Sequence, residues 1–141
     1  MSILIIQRGS LFHWENYEFE DNSKKNKYFI ALNCKIQDSE INLVLPTSKY
    51  EKHYQNNKKN LIDTVILQPN ESIYFKKPPA TVIDLKKIRY ENIEAIRMAH
   101  SDSLLNYKGM IEPHIMAKIE DAIKKAITLS DEMKEILLCK K

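Results

Sequence analysis

Ile41-Asn42-Leu43-Val44-Leu45-Pro46-Thr47-Ser48-Lys49 runs an apolar strand directly into two adjacent hydroxyls and a lysine. A second apolar strand, Lys27-Tyr28-Phe29-Ile30-Ala31-Leu32, precedes it and opens on another lysine. Paired as neighbours, the two strands bring a cation and a hydroxyl pair to one end of a small sheet. Charge-assisted donors of that kind hold a phosphodiester and favour the extra negative charge of a phosphorane-like state. Thr47-Ser48 also suits an ordinary turn, because hydroxyls after a strand hydrogen-bond nearby backbone.

Working outward, strands are expected at Gly9 to Trp14, Lys27 to Ile36, Ile41 to Leu45, Leu61 to Leu67, Ser72 to Phe75 and Thr81 to Ile83. Pro78-Pro79 cannot donate ladder hydrogen bonds and marks a bulge or an edge. Beyond Asp84 the period becomes helical. Tyr90, Ile93, Ile96 and His100 recur at helical spacing, and Ile111, Ile115, Ile119, Ile123 and Ile127 form a stripe every fourth residue. Pro113 suits a first helical turn, and Ser130 suits an N-cap for a last helix with Asp131 and Glu132 in its first turn. The pattern predicts one mainly β domain with α elements (α+β) over residues 1–141. A small curled antiparallel β-barrel spans about 7–84, and helices over about 85–139 pack on it.

Composition narrows the function classes. The chain has 141 residues, 43% apolar and 29% charged, which suits one globular domain with a real core. No apolar run approaches the roughly 20 residues of a membrane span. Ile3-Leu4-Ile5-Ile6 is too short for a signal-peptide core, so a cytoplasmic location away from membranes is expected. Cys34 and Cys139 offer neither a metal spacing nor a disulfide framework, and Cys34 falls on the apolar face of its strand as a buried thiol. The net charge is only +3, but lysines cluster at 24, 25 and 27, at 49, 52, 58 and 59, at 76–77 and at 86–87. A basic loop zone beside an acidic remainder suits a polyanion partner. With only Gly9 and Gly109 there is no glycine-rich phosphate cradle, and the four histidines have no metal-ligand spacing.

The order of these elements resembles the PemK/MazF (Kid/CcdB-fold) family of toxin endoribonucleases. Gly9-Ser10-Leu11-Phe12-His13-Trp14 matches the family's opening Gly and aromatic strand. Lys27-Tyr28-Phe29-Ile30-Ala31-Leu32 stands where an Arg-Pro begins an apolar strand, and Leu45-Pro46-Thr47-Ser48 where a strand ends in Pro-x-Thr-Ser. Thr81-Val82-Ile83-Asp84 aligns with Arg-Thr-Ile-Asp, and the segment from Lys108 to Ile123 with the closing Gly and helix. Lys27 and Thr81 replace two family arginines, and lysine loses the bidentate grip on phosphate. The Lys27 and Thr47-Ser48-Lys49 set is also similar to the ToxN/AbiQ toxins, which pair with RNA antitoxins.

The resemblance implies an SH3-like barrel, a homodimer, a cognate antitoxin (a protein in preference to an RNA) and cleavage of single-stranded mRNA without metal or cofactor. The RNA's 2′-hydroxyl attacks the adjacent phosphate, leaving a 2′,3′-cyclic phosphate and a 5′-hydroxyl. Lys27, Thr47 and Ser48 are the expected catalytic groups, with Lys49, Lys76, Lys58 and His13 as RNA contacts and His13 a candidate base. The competing reading is a non-catalytic barrel that binds nucleic acid or protein as a regulatory subunit.

Overall fold

Alternation fails in the first strand because both of its faces are buried. In the computed structural model, which describes residues 4–140, β1 (Ser10–Glu18) buries Leu11 on one side and Phe12 and Trp14 on the other. It is flanked by β2 (Lys24–Ala31) and by β8 (Leu105–Met110), both antiparallel to it. β3 (Glu40–Val44) and β7 (Arg89–Asn92) complete a five-stranded sheet in the order β7-β3-β2-β1-β8. β4 (Pro46–Thr47), β5 (Thr64–Leu67) and β6 (Thr81–Asp84) form a second antiparallel sheet, in the order β4-β6-β5.

Cross-strand partners share a face, so the register sorts the side chains into two cores. Leu11 opposite Ile30, and Ile30 opposite Val44, face the second sheet. Phe12 opposite Phe29, and Trp14 opposite Leu105, face away from it. The first core is closed by Val65, Leu67 and Ile83 and by the helices α4 (Pro113–Lys125) and α5 (Asp131–Leu137). The second is closed by α3 (Ile93–Ser101), through Ile96 and Ala99. Ile115, Ile119 and Ile123 are each fully buried, as their fourfold spacing requires. Pro113 opens α4, and the Ser130 hydroxyl caps α5 by accepting from the Met133 N–H.

Arg8 ties the ends together. Its guanidinium donates to the carbonyls of Leu32 and Leu137, each at 2.8 Å, and pairs with Glu120 of α4 at 2.9 Å. Asp63 holds the other end of α4 by accepting from the backbone of Ile127 at 3.0 Å and of Thr128 at 2.7 Å.

Several expectations are corrected. The single curled sheet over 7–84 is instead two sheets, and two strands of the larger one, β7 and β8, come from the part read as helical. Among the described residues no strand ladder joins the two sheets into a closed barrel. The strand read from Lys27 to Ile36 begins at Lys24 and stops at Ala31. Ser72 to Phe75 is not a strand, because the Glu112 carboxylate takes its polar groups. That carboxylate accepts from the Ser72 hydroxyl and the Ile73 N–H, each at 2.9 Å. Tyr90 lies in β7 rather than in a helix, and Ile127, 78% exposed, falls past the end of α4. Cys34 is exposed, not a buried thiol, and is disulfide-bonded to Cys139. Ile3 lies outside the described residues. No described helix is long and apolar enough to cross a membrane.

Candidate functional site

β4 is only two residues long, yet it forms the wall between two clefts. Pro46 pairs with Ile83 and Thr47 with Val82, so the wall rests on the fully buried strand β6. The larger cleft, of about 620 Å³, lies between this wall and the β1–β2 turn. The smaller, of about 310 Å³, lies on the other side, against the segment after β5. Lys27, Pro46, Thr47 and Lys49 line both.

The expected site residues separate into those that meet and those that do not. Lys27, Thr47, Ser48, Lys49 and Lys76 all line the smaller cleft. Lys58 sits on a one-turn helix, α2 (Lys58–Leu61), and borders neither. His13 packs against Tyr28 at a tilt, ring centroids 4.8 Å apart, and also borders neither. Thr47 does serve the turn, since its hydroxyl oxygen accepts from the Lys49 N–H at 3.3 Å. The hydroxyl proton of Thr47 is still available to an outside acceptor.

Charge is uncompensated along the wall. Lys25, Lys27, Lys49 and Lys87 line the larger cleft, and among the described residues none of the four forms an ion pair. Partial burial, followed by the like charges of Lys49, Lys25 and Lys87, holds the Lys27 ammonium below the ordinary lysine range. An anion bound there relieves that repulsion. Of the other charged groups of the cleft, Asp21 accepts from the Ser23 hydroxyl at 2.6 Å and the rest form ion pairs. Arg89 pairs with Glu20 at 3.0 Å, and Asp84 with Lys86 at 2.9 Å.

His53 carries no motif or spacing that marks it in the sequence. It lies on α1 (Tyr50–His53), the turn that follows the wall, and lines the larger cleft with Lys27 and Thr47. Desolvation, then Lys52, Lys49 and Lys87, holds its imidazole below the usual histidine range. It is therefore neutral at pH 7 and able to take a proton. The next residue, Tyr54, is buried and donates to the Asp84 carboxylate at 3.0 Å, which anchors α1 to β6. Asp84 thus holds the anchor in the fold. Among the described residues no three His, Cys, Asp or Glu side chains gather as metal ligands.

The arrangement can hold a phosphate at the wall, with hydroxyl donors and excess positive charge on both sides and an imidazole in reach of the larger cleft. Comparison with family models and with curated proteins finds no match to this chain.

Proposed function

We propose that the protein is a toxin-like endoribonuclease, similar to the PemK/MazF family and its SH3-like barrels, that cleaves single-stranded RNA in the cytoplasm. The observation that carries this reading is the uncompensated Lys27–Thr47–Lys49 wall shared by two clefts. A phosphodiester seated on the wall has chain leaving it on both sides, so each cleft takes one flank of the strand. Lys27 neutralises the non-bridging oxygens, and Thr47 and Ser48 donate to them as charge builds. His53 takes the 2′-hydroxyl proton, the 2′-oxygen attacks phosphorus, and the P–O5′ bond breaks as the 5′-oxygen takes a proton from water. The products are a 2′,3′-cyclic phosphate and a 5′-hydroxyl. A homodimer and a protein antitoxin belong to the same proposal. The β8 edge, with Tyr107 and Met110 exposed, is the surface on which the dimer is built.

Incubation of the purified protein with end-labelled RNA in the presence of a chelator tests the reading. Discrete fragments ending in cyclic phosphate are expected, and intact RNA under all conditions overturns it. The replacement of the family arginines by Lys27 and Thr81 favours a second reading, a module that binds RNA without cutting it. Salt-sensitive binding without fragments is the outcome that selects it.

A further inference from the structure

The smaller cleft differs in chemistry from the larger one. Its lining contains Tyr28, Tyr74 and Phe75 beside Lys76 and Lys77, and it contains no carboxylate. Tyr28 is 41% exposed, and its ring is braced by a tilted contact with His13 and an edge contact with Phe75 at 6.3 Å. Tyr74 is held by a close approach to the backbone. Its hydroxyl lies where a side chain at Gly109 would start. Among the described residues neither Lys76 nor Lys77 forms an ion pair. A braced, part-exposed aromatic ring in a basic cleft is the arrangement that takes unpaired bases, whose π-faces stack while lysines follow the backbone.

We propose that the smaller cleft is a nucleobase subsite, in which Tyr28 stacks on one unpaired base next to the phosphate held at Lys27 and Thr47. This rests on the proposed RNA-directed function and adds where the strand is gripped. The volume of about 310 Å³ is at the small end of ligand pockets and suits one extruded nucleotide rather than a paired helix. Stacking of this kind tolerates any base, so the subsite contributes grip and register more than sequence choice.

The test uses fluorescence anisotropy with a short, labelled 2′-O-methyl RNA, which lacks the attacking hydroxyl and stays intact. A set of the same oligonucleotides carries one abasic position each. Wild-type protein is expected to lose affinity by about tenfold or more at one abasic position. Tyr28→Ala is expected to lose a similar factor with the parent strand and to be indifferent to that abasic position. Tyr28→Phe is expected to bind as wild type. If every abasic strand binds wild type as tightly as the parent, the subsite is wrong, whereas salt-dependent binding of the parent strand leaves the RNA-directed function standing. If the parent strand does not bind at all, both fall. The abasic series needs no substitution in the protein, so the result stands even where Tyr28→Ala fails to fold.

Discussion

The Tyr54 hydroxyl donates to the buried carboxylate of Asp84 across 3.0 Å, and this single bond fastens the His53 turn to the central strand of the smaller sheet. Burial, then the Asp84 charge and the hydrogen bond to it, push the Tyr54 phenol up to about 12. Burial and the Glu91 hydrogen bond do the same for Tyr17. A raised phenol favours the protonated folded state. The stability it adds is complete below pH 10 and is lost as pH rises towards about 12. Chemical denaturation across that window should show the loss, and Tyr54→Phe should reduce it. At neutral pH the same change should cost about 1–2 kcal/mol, because Asp84 keeps its bonds to Lys86.

The pH–rate profile of cleavage should be a bell with both limbs displaced. The rising limb follows deprotonation of His53 and lies below the ordinary histidine range. The falling limb follows loss of the Lys27 charge and begins below the ordinary lysine range. Added salt screens the lysines around His53, so the rising limb should move towards higher pH. His53→Gln should lower the rate by about a hundredfold or more with RNA affinity retained. An unchanged profile in that variant removes His53 from the chemistry.

Thr47→Ala removes one donor to the developing phosphorane and should reduce cleavage by about a hundredfold. Lys27→Met should do the same in folded protein. Lys58→Ala, in a residue that borders neither cleft, should weaken RNA binding only slightly and flatten its salt dependence. Single-turnover cleavage and a salt series of affinities separate the three.

Ile119→Ala should cost about 2–5 kcal/mol, because the side chain is fully buried in the core that joins α4 to both sheets. Urea denaturation measures it directly. Loss below 1 kcal/mol would mean that α4 packs loosely on the sheets.

Replacing Cys34 and Cys139 together by Ser opens a cross-link between residues 105 apart in sequence. The chain-entropy argument gives a loss of about 4–5 kcal/mol for a loop of that size. The thermal midpoint of the oxidised protein should fall on reduction to match the double variant. Light scattering should show a dimer in both, since neither cysteine belongs to β8.

The parts of the fold visible in the sequence are those where burial follows a simple period. α4 is one, and β2, β3, β5 and β6 are legible as apolar runs. β8 is not, because an edge strand with one side exposed reads as Leu-Asn-Tyr-Lys-Gly-Met and carries little apolar signal. Ser72 to Phe75 has strand composition, but Glu112, distant in sequence, captures its hydrogen bonds. The Cys34–Cys139 pair has no spacing signature at all. For the candidate site, Thr47, Ser48 and Lys49 follow a strand end and Lys27 opens the apolar half of β2, where local pattern reaches them. His53 enters the cleft only because Tyr54 and Asp84 turn its helix inward, and that contact spans 30 residues.

A two-residue partition cannot be altered on one side alone. Pro46 and Thr47 meet β6 through two register pairs and line both clefts. A change of side chain at either position is therefore a change to both chambers at once, like moving the party wall between two rooms.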